Sequence, residues 1–140
     1  MAQPRLLCVL SKGTRIREGL DAFLRAHNVR TGTIGGIGAV DQAEIGFYDL
    51  AAKEYRRKEV PEITELVSFL GNITWVDEAP FIHAHVVLGR PDFTLLGGHF
   101  FDARIAITGE FTIHPHPQEA TRAHDPTIGL SLIVPPAQQP

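Results

Sequence analysis

The run Phe81-Ile82-His83-Ala84-His85-Val86-Val87-Leu88 is followed by Gly89-Arg90-Pro91-Asp92 and then by a second apolar run at residues 93–98. Both runs have the short length and the β-branched or aromatic content of strands, and the Gly and Pro between them indicate a turn. This segment therefore predicts an antiparallel hairpin. The rest of the chain shows a similar pattern of short strands and turns.

Short β-type runs punctuated by glycine continue on both sides of the hairpin. They predict a mainly antiparallel sheet rather than repeated βαβ units. The further strands are expected near residues 5–10, 31–37, 43–48, 55–60, 64–73 and 104–113. Glycines 32, 35, 36 and 38 are followed by neither a Lys-Ser/Thr pair nor a helix pattern, so they predict bulges or close backbone approach rather than a phosphate loop.

One long helix is expected between the first two strands. Its apolar side chains recur at helical spacing and form one stripe. Thr14 is the predicted N-cap and Asn28 the predicted end. The stripe consists of Ile16, Leu20, Phe23 and Leu24.

The bulk properties indicate one domain. The chain has 140 residues, a formal net charge of -3 and a single cysteine, Cys8. The acidic balance disfavours a nucleic-acid surface built on bulk positive charge, and the apolar run at residues 6–10 is shorter than a signal-peptide core. We therefore expect a cytoplasmic α/β protein of the α+β kind, with a core at about residues 5–113 and a loop-rich tail at 114–140, in which residues 127–134 are compatible with a last strand.

Three of the seven histidines are placed to bind one metal. His83 and His85 are two residues apart on a strand and share a face. His99 is separated from His83 by an even number of residues, and a three-residue loop would place these two opposite each other, whereas a four-residue loop would require a bulge at Gly97-Gly98. Three neutral imidazoles leave a fourth zinc position for water or substrate. The alternative is a set of separate surface or hydrogen-bonded histidines, which we expect for His114, His116 and His124.

Metal chemistry also needs groups that move protons. Glu65 lies inside the apolar run at residues 63–70, where an unpaired carboxylate is expensive to bury, so it is the candidate catalytic residue. Glu110 raises the same question, and Arg5 or Arg104 could supply a positive partner. The alternative for each acid is an outward-facing strand residue.

Several segments resemble the PPC (plants and prokaryotes conserved) domain family, in the family's order across about residues 5 to 113. The resemblance implies a mostly antiparallel sheet, a flanking helix and a homotrimer. A more distant similarity is to the zinc site of acetolactate decarboxylase, which also combines a His-x-His strand with a later Gly-His. The matching segments are Gly13-Thr14, Gly35-Gly36-Ile37-Gly38-Ala39-Val40, Gly46-Phe47-Tyr48-Asp49, Glu65 with Ser68-Phe69-Leu70-Gly71-Asn72-Ile73, Phe81-Ile82-His83-Ala84-His85, Gly97-Gly98-His99-Phe100 and Glu110.

Plant members of this family carry AT-hooks, and prokaryotic members are often named as DNA-binding on that basis. Here Leu88-Gly89-Arg90-Pro91 lacks the first arginine of the Arg-Gly-Arg-Pro hook, and the best basic patch, residues 53–58, is interleaved with glutamates. The favoured hypothesis is a protein that binds zinc or another divalent metal and acts on a small carbonyl, carboxylate or ester substrate, as a zinc-dependent lyase or hydrolase. The alternative is a DNA-binding or protein-assembly module whose metal is structural or absent.

Overall fold

The computed structural model describes residues 4–134, and most of them lie in antiparallel strands. Six strands form one sheet in the order β1-β6-β5-β4-β2-β3, and β6 also pairs with β2, so that β6, β5, β4 and β2 close on themselves. The expected mainly antiparallel sheet with one helix is confirmed. The elements are β1 Leu6–Ser11, α1 Ile16–Ala26, β2 Gly32–Asp49, β3 Glu54–Val60, β4 Thr64–Val76, β5 Ala79–Gly89, β6 Leu95–Pro115, β7 Arg122–Asp125 and β8 Leu130–Ile133.

The core is one cluster of buried apolar side chains on the inner face of this sheet. Phe69 lies at its centre, edge-on to the rings of Phe100 and Phe111 at centroid distances of 5.1 and 5.2 Å. The stripe of α1 joins the same cluster, with Ile16 and Leu20 fully buried. No helix in the described part of the chain is long and apolar enough to cross a membrane.

The start of α1 differs from the sequence prediction. Arg15, not Thr14, occupies the N-cap position, and no side chain of the cap itself accepts a hydrogen bond from the first turn. Instead, the Asp102 carboxylate on β6 accepts hydrogen bonds from the Arg17 backbone N–H at 3.1 Å and from Arg15 Nε at 3.0 Å. A carboxylate at this end of a helix satisfies a free N–H and complements the helix dipole. Asn28 follows the helix with a left-handed φ of 50°, as its predicted role requires.

Two strands are longer than the sequence predicted. Residues 32–37 and 43–48 both lie in β2, and residues 95–98 and 104–113 both lie in β6, whereas residues 31, 93 and 94 precede these strands. Register shifts between Gly36 and Gly38 and again between Gly38 and Val40 carry β2 through residues 38–42, which separate the two predicted strands. The predicted bulges are therefore found at Gly36 and Gly38.

The tail is more ordered than the sequence indicated. Residues 122–125, interpreted as loop, form β7, and it pairs with β8 inside the predicted segment 127–134. The β7–β8 hairpin is fastened to the sheet by the Tyr48 hydroxyl, which donates to the Ile128 carbonyl at 2.6 Å, and by Lys53 Nζ, which donates to the Pro126 carbonyl at 2.7 Å. The last six residues of the predicted tail, 135–140, lie outside the described residues.

Candidate metal centre

The β5–β6 hairpin positions the three histidines. His85 lies directly opposite His99 in the antiparallel register, and residues 90–94 connect the strands. This connection has five residues rather than the three that would place His83 opposite His99, so that pairing does not form. An odd loop length preserves the parity, so all three histidines still share the outer face, which is the face of the sheet opposite the buried Ile82 and Ala84.

The three imidazoles converge on one point. Their ring centroids are 5.2 Å (His83–His85), 5.4 Å (His83–His99) and 5.7 Å (His85–His99) apart. One nitrogen from each ring can be chosen so that all three lie within 4.8 Å of one another. Tetrahedral zinc with nitrogen ligands at about 2.0–2.1 Å needs nitrogens about 3.3 Å apart, so small ring rotations bring these donors to ligating geometry.

The environment of His83 and His99 disfavours their protonation. Burial, followed by the neighbouring His83 and His85, lowers the pKa of His99 to about 4. Burial also lowers the pKa of His83, with smaller effects from His85 and from the positive charges of Arg122 and Arg17. Because a metal binds the neutral imidazole, a depressed pKa favours binding over protonation at neutral pH.

Aromatic side chains wall the site on one side. Tyr55 of β3 stacks on the His99 ring at a centroid distance of 4.6 Å, and Phe101 meets the same ring at 4.9 Å with an interplanar angle of 71°. The Tyr55 hydroxyl lies 3.5 Å from His99 Nδ1, so stacking holds the ring more firmly than this long hydrogen bond does. Arg57 lies over the Phe101 ring at 3.7 Å.

A second wall comes from the β7–β8 hairpin. Asn72 of β4 lies opposite His83 in the register. Arg122 of β7 donates from Nη2 to Asn72 Oδ1 and from Nε to Thr74 Oγ1, each at 2.9 Å. Sequence reasoning missed Arg122 and Tyr55, because neither is near the histidines in the chain and no local spacing connects them.

Arg17 holds the two histidine strands together from the helix side. Its guanidinium donates to the carbonyl of Ile82 at 3.3 Å and to that of Phe100 at 2.9 Å, and Nε donates to the Phe101 carbonyl. These carbonyls belong to the residues next to His83 and His99, or one further along.

The predicted acids do not lie at the histidine cluster within one chain. Glu65 pairs with Gly89 and is exposed, four residues along β5 from His85, which corresponds to about 13 Å at the rise of a strand. Glu110 lies opposite Val9, eleven residues along β6 from His99. Arg104 pairs with Asp41 at 2.8 Å and so supplies no partner to either glutamate.

The remaining sequence candidates take no part in the cluster. His116 and His124 are exposed and His114 is half-buried; among residues 4–134 the one group of ligand-type side chains is that of His83, His85 and His99. Cys8 is buried, and burial raises its thiol pKa to about 11, so the thiol stays protonated at neutral pH and is a poor nucleophile.

These features define a small antiparallel α+β domain with an open cluster of three histidines on its outer face. The chain matches the Plants and Prokaryotes Conserved (PCC) domain over residues 3–117, and it belongs to that family, the one abbreviated PPC above. No curated protein matches the chain in sequence.

Solved structures of similar fold match this chain over nearly its whole length, which is more than the part that the family model covers. A metal-containing protein from Archaeoglobus fulgidus is 34% identical, with a TM-score of 0.88 and 96% of each chain covered. A plant- and prokaryote-conserved (PPC) protein from Pyrococcus horikoshii is 26% identical, with a TM-score of 0.88, 96% of this chain covered and 94% of the other. A protein named as a putative DNA-binding protein, from Ralstonia eutropha JMP134, is 29% identical, with a TM-score of 0.87, 97% of this chain covered and 95% of the other.

Proposed function

We propose that this chain is a stand-alone PPC-domain protein that binds one divalent transition metal, zinc in the first instance, through His83, His85 and His99. The observation that carries the proposal is the convergence of three imidazole nitrogens to within 4.8 Å of one another. The metal-containing name of the Archaeoglobus relative, at 34% identity, supports it. Imidazole donors suit zinc and its neighbours in the first transition series, whereas calcium and magnesium prefer oxygen.

A three-histidine set suits a catalytic metal better than a structural one. Structural zinc has four protein ligands, and a site with three leaves one position for water or substrate. A metal held there would polarise a carbonyl or lower the pKa of a bound water. The chain's own residues provide the orientation: Tyr55 and Phe101 restrict the His99 ring, and His85 is exposed toward solvent.

The acid–base role predicted for Glu65 stays a prediction. Its distance of about 13 Å from His85 along the strand restricts that role to a site assembled between copies of the chain. Assembly is also what the outer face calls for, because apolar side chains on β1, β4 and β6 lie exposed there: Leu7 67%, Val9 58%, Leu70 67% and Ile107 65% exposed. We propose that these side chains pack against other copies in the homotrimer that the family resemblance implies.

The metal proposal is tested by elemental analysis of protein purified without a histidine tag. We expect about one zinc per chain in the wild type. Zinc binding by the ligand set of a zinc finger has a free energy of about 10–16 kcal/mol, or about 3 kcal/mol per ligand. His85→Ala should therefore weaken metal binding about a hundredfold, and the purified variant should lose its stoichiometric metal. His116→Ala is the matched control, because His116 is exposed and outside the cluster. Full zinc retention in a folded His83→Ala, His85→Ala double variant would overturn the proposal.

The trimer is tested by light scattering, which should give three times the protomer mass of 15.4 kDa. Leu70→Glu should lower the measured mass by placing a charge in the buried interface. Arg56→Glu is the control, because Arg56 lies on β3 and not among the exposed apolar side chains of β1, β4 and β6, and this variant should leave the measured mass unchanged. A wild-type protein that stays monomeric at micromolar concentration would contradict the proposal.

A further inference from the structure

Arg122 is held rigidly at the edge of the histidine cluster. Nε donates to Thr74 Oγ1 at 2.9 Å, Nη1 to the Ser131 carbonyl at 3.1 Å and Nη2 to Asn72 Oδ1 at 2.9 Å. The guanidinium also lies over the Phe81 ring at 4.6 Å. A guanidinium has five N–H donors, so two remain free, one on each terminal nitrogen.

The positive charge of Arg122 has no anionic partner among the described residues. All three of its acceptors are neutral, whereas Arg15, Arg57 and Arg104 each form an ion pair with a carboxylate. The side chain is half-buried, and a desolvated charge without a counter-charge is unfavourable. An arginine fixed in this way is ready to accept a planar anion through its two free donors.

The position of Arg122 directs that anion toward the histidines. Asn72, which accepts from Nη2, is the cross-strand partner of His83, and side chains in such pairs have Cβ atoms about 4.5–5.5 Å apart. One side chain therefore separates the guanidinium from a proposed metal ligand. The β7–β8 hairpin that supplies Arg122 lies beyond residues 3–117, the part of the chain that the family model covers.

We infer that Arg122 binds the carboxylate of a small ligand, and that the oxygen of a neighbouring hydroxyl or carbonyl group of the same ligand occupies the open metal position. The ligand class is a compact acid with a hydroxyl or carbonyl next to its carboxylate, and the β7–β8 hairpin is the specificity element that recognises its charge. This inference rests on the proposed metal site, and it assigns to Arg122 the recognition of the ligand rather than the holding of the metal.

The test uses cobalt-loaded protein, because the visible spectrum of Co²⁺ reports a new ligand at the open position. Lactate carries both groups, and lactamide is its neutral isostere. We expect wild-type protein to bind lactate at least about tenfold more tightly than lactamide, and Arg122→Met to abolish this preference. Arg122→Lys should retain part of it, because lysine keeps the charge but not the planar fork. Arg90→Gln, in the β5–β6 turn, is the control and should behave as wild type.

Cobalt content measured on every sample separates the two proposals. Stoichiometric cobalt with equal affinity for lactate and lactamide in the wild type overturns the role of Arg122 and leaves the metal site standing. Undiminished lactate preference in folded Arg122→Met, or no spectral response to lactate, overturns the role of Arg122 in the same way. Failure of the wild type to hold cobalt or zinc would overturn both proposals. If Arg122→Met does not fold, the wild-type comparison of the two probes and the Arg122→Lys variant decide between these outcomes.

Discussion

Acidification should destabilise the metal-free protein through His99. The folded state lowers the pKa of this imidazole from its ordinary value of 6.5 to about 4, chiefly by burial. Between these two values the unfolded chain binds more protons than the folded one, so stability is fully present above about pH 6.5 and is lost as the pH falls toward 4.

The magnitude follows from the width of that window. A shift from 6.5 to about 4 spans 2.5 pH units, and each unit corresponds to about 1.36 kcal/mol, which gives a ceiling of about 3.4 kcal/mol. His99 is only partly buried, so screening by solvent reduces the expected loss to about 2 kcal/mol. In urea, where small proteins unfold with a slope of about 1–3 kcal/mol per molar, the midpoint should fall by about 1 M.

The assay is urea unfolding at fixed protein concentration, after metal removal with EDTA, from pH 7 to pH 4. His99→Gln removes the titrating group, so its stability should vary less with pH over this window than that of the wild type. The Asp41–Arg104 ion pair serves as an internal contrast, because the pKa of Asp41 is lowered by its hydrogen bond to Arg104 and its contribution is lost only in the carboxylate range, below that of histidine. Identical pH slopes for wild type and His99→Gln, or a wild-type stability that rises on acidification, would refute the reasoning.

Two further outcomes are expected. Gly71→Ala should destabilise the protein by about 1–3 kcal/mol and weaken metal binding, because the new Cβ would overlap the His83 carbonyl oxygen and lie 2.8 Å from the Ala84 Cβ. Gly35→Ala, with only the Phe69 carbonyl oxygen near at 3.7 Å, should be neutral or stabilising, and thermal unfolding that ranks the two variants the other way would contradict the packing argument. Duplex DNA should bind weakly and without A·T preference at physiological salt, given the net charge of -3, and a fluorescence titration showing tight A·T-selective binding would reverse this.

The histidine cluster could be predicted because side-chain alternation in a strand is a local rule. His83 and His85 share a face whatever the rest of the chain does, and His99 joins them whenever the connecting loop is odd. The register itself was not predictable, because it depends on a five-residue turn closed by the Arg90 N–H, which donates to the Thr94 carbonyl at 2.9 Å, and on a left-handed Phe93 with φ 68°. Non-glycine residues seldom adopt that conformation, so no pattern in the sequence indicated it.

Features that depend on contacts between distant segments could not be predicted from local sequence patterns. Thr14 is a residue type that often caps helices, yet the Asp102 carboxylate takes over this function by accepting from the Arg17 N–H, which lies 85 residues away in the chain. Arg122 reaches Asn72 across 50 residues. Glu65 was selected because its neighbours are apolar, but strand alternation turns it outward and the register carries it away from His85.

The three hydrogen bonds of Arg17 affect how far the histidine site is preorganised in the metal-free protein. They tie the backbone beside His83 and His99 to a helix whose Ile16, Leu20 and Leu24 side chains are fully buried, so the backbone positions of these two ligands are fixed by the folding of the domain. Binding then has to order little more than the imidazole torsions, and the rotameric entropy lost on capture is small. We therefore do not expect metal binding to be slowed by backbone rearrangement. The rate of binding should be set by the loss of water from the metal's hydration shell, and the exposed His85 ring is the ligand that still has to rotate into place.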